Sequence, residues 1–363
     1  MLLAIVFFLG SIISSIYLRA TLQWWVEALL LMGFAWVTMR AIDRETVCRW
    51  IVYAVLPHAV LGIIQFCTQW VAGSKWVGMA TQDPLVSGVS VVESMGRRWL
   101  RAYGGFPHPN IFGGWLLMGL VSSIEYRVSS NRGQIWKIPV VMVLSISLVL
   151  TFSRSAWVAF VILMGSAALL LLKEWRGTRR IDRFRWALPF IAVIVFAMTV
   201  IWQWPLVMVR SSSLTRLEAI SVNERRVGIE NGIEVFRRHP WFGVGPRATG
   251  YALVEEGIVS AKTIPIIPHN VFVLMVGEVG LFGCLLLVLV LRRERQWIKD
   301  ALRNDRERML VLLPVFVILC LDHYPWSTWS GMGWTMLIFC LIFAKKDILD
   351  TSPDRLAMYG QRN

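Results

Sequence analysis

The chain has 363 residues, of which 56% are hydrophobic and only 17% charged, with a formal net charge of +14. A soluble domain of this length could not hide so much apolar surface in one core, so lipid must solvate part of it. The basic residues cluster between apolar runs and form no continuous stripe, which excludes nucleic acid as a partner and points to membrane topology.

In chain order, the start MLLAIVFFLG has no basic n-region and no small-residue cleavage site, so the first segment is expected to stay. Apolar runs long enough to approach the hydrocarbon thickness recur near 2–18, 22–39, 50–71, 109–126, 138–152, 155–172, 186–204, 269–291, 309–322 and 328–344, which predicts about ten membrane-spanning helices. The expected fold is therefore all-α, a polytopic bundle of about ten helices over 1–345, with a tail at 346–363. Loop 173–185 carries six Lys/Arg and loop 292–308 carries seven; the positive-inside rule makes both cytoplasmic. Counting outward puts both termini and the tail in the cytoplasm, in a membrane whose lipids surround the bundle. The loop 72–108, the turn at Ser153 and Arg154, the segment 205–268 and the DHYPW turn at 322–326 then share the outer side.

The 205–268 segment is too long for a simple connection. Ser221-x-x-Glu224 reads as a capping box opening a helix that ends at His239-Pro240, and a glycine–proline turn, WFGVGP, follows. On that helix 225, 229, 232 and 236 share a face, which aims Arg225 inward with Ile229, Gly232 and Phe236. Arg226 with Glu230, and Glu234 with Arg238, form i,i+4 pairs on other faces.

Ionisable groups at membrane level are costly, so those on the outer side beside apolar helices are functional candidates: Arg101, His108, Arg154, Arg225, His239, His269, Asp322 and His323. Arg154 lies in LTFSRSAWVAF with few polar neighbours, where its planar fork suits phosphate oxygens; a snorkelling interface anchor is the alternative. Arg225 has the alternative of pairing with a carboxylate from another helix. His269 precedes an apolar helix and could take a proton from an attacking hydroxyl, or act only as a cap. Glu278, deeper in that helix, should pair with an arginine or accept hydrogen bonds from a neighbour. GGFPHPN at 104–110 suits a shaped lining loop, with His108 and Asn110 near substrate or serving the turn. The five cysteines show no metal-ligand or disulfide spacing. No P-loop, G-x-S-x-G, H-E-x-x-H or outer D-x-D pair is present, so the expectation is metal-independent chemistry with no cofactor.

His269-Asn270, nine residues, Gly280, two residues and Gly283 fit the pattern H-[N/S/Q]-x9-G-x-x-[G/T/Y]. R-x-x-G-G-F-x-H-P-N at 101–110, S-R-S-A-W at 153–157, and E-R followed by H-P-W-F-G-V-G at 224–245 lie in order around it. Over about residues 97–345 the chain thereby resembles the O-antigen ligases and Wzy-type polymerases. The resemblance implies a GT-C-like glycosyltransferase of the bacterial inner membrane. Its donor would be an undecaprenyl-diphosphate-linked glycan, and its acceptor lipid A-core for a ligase or another lipid-linked glycan for a polymerase. It implies inverting, metal-independent transfer at the periplasmic face, with Arg154 and Arg225 holding the diphosphate and His269 activating the acceptor hydroxyl. Arg101, His108, Asn110 and Asn270 are the further substrate-binding candidates. The His-Asn motif favours the ligase, with the polymerase as the alternative. An anion or polysaccharide transporter that uses the same arginines for binding is the alternative of a different class.

Overall fold

A computed structural model describes residues 2–76, 78–126, 131–178, 183–211, 216–293, 295–296, 299 and 308–344. The expected tail 346–363 and much of the basic loop 292–308 lie outside the described residues. The helices are α1 Leu2–Ile13, α2 Leu18–Ala41, α3 Arg44–Thr68, α4 Pro109–Glu125, α5 Asn131–Leu150, α6 Arg154–Thr178, α7 Arg183–Trp202 and α8 Trp204–Ser211. There follow α9 Arg216–Arg238, α10 Thr249–Glu255, α11 Val271–Arg293, α12 Arg308–Leu321, α13 Tyr324–Ser327 and α14 Trp329–Phe343. Among the described residues the strands are β1 Val91–Ser94 and β2 Arg97–Leu100.

The chain is polytopic, but the expectation of about ten spans is wrong. Four helices among the described residues are long and apolar enough to cross a membrane: Leu18–Ala41, Arg44–Thr68, Arg154–Lys173 and Val271–Arg293. A fifth is added if Ala187–Trp202 and Trp204–Arg210, bent by 89°, count as one. The error came from equating apolar run length with helical length. The 2–18 run breaks after Ile13, and Gln134–Leu150, Val311–Leu321 and Trp329–Phe343 are shorter apolar helices. A 17-residue helix such as α4 reaches only about 25 Å at ~1.5 Å per residue, against a hydrocarbon core of about 30 Å. Its composition has another cause. Thirteen of its residues, from Pro109 to Ser123, are buried, because α4 is packed on all sides by α3, α5 and α6 and a helix apolar all round is a core helix.

The 72–108 loop is not a featureless connection. Val91 pairs with Leu100 and Ser94 with Arg97 in an antiparallel hairpin, turned by Met95 (φ 52°) and Gly96 (φ 74°), both in the left-handed region that a tight two-residue turn requires. Leu100 and Tyr103 pack with Val71 at the end of α3, and Ala102 N donates to Leu150 O at 2.9 Å. The hairpin therefore delivers Arg101 onto the end of α5.

Helix α11 is broken. Gly280 has φ 61° and ψ −169°, a conformation nearly restricted to glycine. The loop after α9 supplies the hydrogen bonds that the break removes. Val244 N donates to Gly277 O at 3.1 Å and Gly245 N to Glu278 O at 2.9 Å, while Leu281 N reaches Pro240 O at 2.8 Å and Phe282 N reaches Trp241 O at 3.0 Å. Irregular backbone at membrane depth is tolerated only when protein satisfies it in this way. Glu278 takes the second of its two expected roles, accepting from Trp326 Nε1 at 2.6 Å and Thr249 Oγ1 at 3.0 Å.

Candidate functional site

Arg154 opens α6. Ser153 caps the helix, its Oγ accepting from Ala156 N at 3.4 Å and its O from Trp157 N at 2.9 Å, so the next side chain leaves the first turn at the end of an apolar span. Arg154 Nη2 donates to Ser221 Oγ at 3.1 Å, and Nη1 lies 3.2 Å from Glu218 Oε2. Glu218 also binds Arg210, whose Nε donates to Phe152 O at 3.0 Å.

Helix α9 begins at Arg216, so Ser221 does not cap it as expected; its hydroxyl serves Arg154 instead. The buried stripe is also rotated from the expected face, because Ile229 is exposed whereas Glu218, Gly228, Asn231, Gly232 and Val235 are buried. The surface pairs are as expected, with Arg226–Glu230 at 3.2 Å and Arg238–Glu234 at 2.9 Å. Residues 221, 225, 228 and 232 lie i, i+4, i+7 and i+11 along one face. Ser221 holds Arg154. A Cβ on Gly228 would stand 2.6 Å from Ile267 O, and one on Gly232 would stand 2.5 Å from Pro268 Cγ. Missing side chains thus let the segment entering His269 lie directly on α9, an approach reinforced by Asn231 Nδ2 donating to Ile266 O at 2.8 Å. Half-buried Arg225 sits on this face between the two contacts. Among the described residues it makes no ion pair or side-chain hydrogen bond, and its charge acts on Arg154.

His269 immediately precedes Asn270, whose Oδ1 caps α11 by accepting from Val273 N at 3.0 Å and whose Nδ2 donates to Cys320 O at 2.9 Å. Both ends of that amide are thus engaged within the protein. His269 Nδ1 lies 3.8 Å from Asp322 Oδ1, and its ring packs edge-on against His323 at 4.9 Å. Asp322 is fixed from behind. Arg101 donates from Nε to Thr151 O and from Nη2 to Asn110 Oδ1, both at 2.7 Å; Asn110 Nδ2 then donates to Asp322 Oδ2 at 2.8 Å. Arg101 is only 4% exposed and belongs to this chain of contacts. His108 Nδ1 accepts from Asn110 N at 3.1 Å, which leaves Nε2 as the protonated nitrogen facing Ser90 Oγ at 3.0 Å. Asp322, Glu218 and Arg210 complete the site. The last two went unremarked in the sequence, where Glu218 looks like any first-turn acidic residue and Arg210 like a helix-end cation.

Burial would raise the Asp322 carboxyl, but the His269 ring, then His323 and His108, hold it at about 2. Burial pushes His323 down to about 4 and, with Arg101 adding to the effect, His108 to about 3. Both histidines are neutral at physiological pH. Their folded values lie below the unfolded one, so the stability they carry is complete above about pH 6.5 and is lost on acidification toward their folded values. Asp322 is ionised in both states across that window and adds no slope. The thermal midpoint in detergent is expected to fall steadily from pH 7 to 4.5, following a loss of unfolding free energy of up to about 1.4 kcal/mol per pH unit for each histidine. A flat thermal-unfolding profile would show that the folded protein already holds these protons.

His269, Asp322 and His323 each present a ligand atom within 4.8 Å of the others, a spacing that a divalent cation could close. The polar network already uses part of this capacity: Asp322 Oδ1 accepts from His323 N at 3.1 Å, and His323 Nδ1 is bonded to Ser327 Oγ at 2.6 Å.

Residues 139–288 match the family model described as O-antigen ligase. Over 301 residues the chain is 27% identical to the General O-oligosaccharyltransferase of Acinetobacter baylyi (strain ATCC 33305 / BD413 / ADP1), covering 79% of this chain and 48% of that protein. It thus spans about half the length of the curated relative it matches. Arg154, Arg225, His269 and the glycine break of α11 all fall inside the segment matched to the family model, and over residues 139–288 the chain is similar to the O-antigen ligases.

Proposed function

We propose that the protein transfers a glycan from an undecaprenyl-diphosphate carrier to an acceptor hydroxyl at the periplasmic face, with inversion and without a metal. The observation that carries this reading is the α9 face on which Ser221 holds Arg154, Arg225 follows one turn on, and Gly228 and Gly232 seat the chain entering His269. The acceptor oxygen attacks the anomeric carbon as the bond from that carbon to the diphosphate oxygen breaks, and the departing electron pair stays on phosphate beside Arg154 and Arg225. The acceptor proton passes to His269 Nε2, since Nδ1 faces ionised Asp322, which orients the ring and stabilises the imidazolium that forms. Arg101 and Asn110 hold Asp322 in place.

The periplasmic assignment does not depend on the number of spans. The spans that begin beside Arg154 and His269 end in the basic residues Lys173 and Arg176, and Arg292 and Arg293. The positive-inside rule puts those ends in the cytoplasm and the site on the opposite side. Ligase activity with a lipid A-core acceptor is the reading the His-Asn motif favours, and the relative's name, an O-oligosaccharyltransferase, is compatible with a hydroxyl acceptor.

The test is transfer by purified protein in lipid vesicles, from a lipid-diphosphate oligosaccharide to a lipid A-core acceptor. Labelled product should form at an unchanged rate in excess EDTA. Loss of activity on chelation, restored by a divalent ion, would replace the imidazole–carboxylate pair with a metal at His269, Asp322 and His323. Failure of transfer to lipid A-core, with chain extension on a second lipid-linked glycan, would favour the polymerase.

A further inference from the structure

The scheme above leaves a buried carboxylate beside Arg154 unused. Glu218 is 2% exposed, carries Arg210 on Oε1 and approaches Arg154 Nη1 with Oε2 at 3.2 Å. Arg210 is itself buried, tied to Phe152 O, so Glu218 neutralises one cation that solvent cannot reach and braces a second that is partly open. With Ser221 on Nη2, both terminal nitrogens of Arg154 are held from the α9 side. Arg154 Nε is buried and has no hydrogen-bond partner among the described residues. Buried Nε offers nothing to a ligand, but Nη1 and Nη2 each keep a second N–H beyond the one turned to Glu218 or Ser221, and these are the donors left for a phosphate.

We propose that Glu218 is the positioning residue of the leaving-group site. It fixes the orientation of Arg154 toward the departing diphosphate and, as a fixed negative charge beside it, weakens ground-state binding of the donor. This inference rests on Arg154 being a diphosphate ligand. Binding that is equally strong before and during bond breaking does not accelerate the reaction, so a carboxylate that loosens the resting complex while holding the geometry favours turnover.

Glu218→Gln preserves shape and removes the charge. In vesicles with a lipid-diphosphate oligosaccharide donor, the two kinetic constants should move in a way that simple damage would not produce. The expected result is a kcat lower by about 30-fold together with a donor KM lower by about 3-fold, because an anion now meets a less compensated arginine. In an Arg154→Ala background the same substitution should change neither constant. If Glu218→Gln strands the Arg210 charge and the protein does not fold, the paired Arg210→Gln, Glu218→Gln variant removes both buried charges together and carries the same expectation. An unchanged or higher donor KM, or an equal loss of kcat in the Arg154→Ala background, would make Glu218 a purely structural residue and overturn the inference. Full activity of Arg154→Ala on its own would instead remove the reading of Arg154 on which it stands, so the two failures are distinguishable.

Discussion

Arg154→Ala and Arg225→Ala are each expected to lower the rate of glycan transfer by about 100- to 1000-fold, the effect of removing one preorganised donor from a developing anion. The loss should fall mainly on kcat, since charge on the bridging phosphate oxygen rises only as the glycosidic bond breaks. The two positions differ in what a lysine can rescue. Arg154 uses two nitrogens to bind Ser221 and Glu218, a fork geometry that an ammonium cannot reproduce, so Arg154→Lys should stay close to the alanine variant. Arg225 has no such contacts among the described residues, and Arg225→Lys should keep a substantial part of the activity. Initial rates with purified variants, normalised to folded protein, decide the matter. Full activity in either alanine variant would remove that arginine from the diphosphate site.

The other large effect is on folding. Gly280→Ala would place a Cβ 2.4 Å from Trp241 O and 2.7 Å from Gly243 N, in a backbone conformation that costs a non-glycine residue about 1–3 kcal/mol before any clash is counted. Neither neighbour can yield, because both are backbone groups in the segment that satisfies the break in α11. With overpacking of similar size, the total approaches about 3–5 kcal/mol, a drop of the order of 10 °C in unfolding midpoint for a chain of this size. Gly165→Ala is the matched control: a Cβ there meets nothing within 4 Å, and the midpoint should stay within a degree or two of the parent, given that substitutions without a named defect cost about 0.5 kcal/mol or less. A parent-like midpoint for Gly280→Ala would show that α11 runs unbroken through this position.

The sequence makes legible the parts of this molecule governed by local rules. The helix ending at Arg238, its two i,i+4 ion pairs and the buried Glu278 follow from spacing and charge alone. Errors arose where tertiary contacts overrode a local signal. Ser221 fits a capping box, but its hydroxyl is bound to Arg154, 67 positions away, while the helix extends back to Arg216. Apolar runs such as α4 have the composition of a span because a core interior and a bilayer select the same side chains. The link from Arg101 through Asn110 to Asp322 closes across 212 positions, and periodicity carries no information about it. His269 stands out through a short motif and Asp322 as an ionisable group on the outer side, but nothing in the sequence pairs the two.

The interruption of α11 joins two stretches of sequence into one structural element. Pro240 to Gly245 and Gly277 to Phe282 hold each other's peptide groups, so neither is complete until the other has arrived. During synthesis the earlier stretch must wait, its amides and carbonyls unmatched, until about forty further residues have been made and the later helix has entered the bilayer. Hybrids made from related proteins should therefore inherit both stretches from the same parent, since a crossover between them would pair two edges shaped for different counterparts.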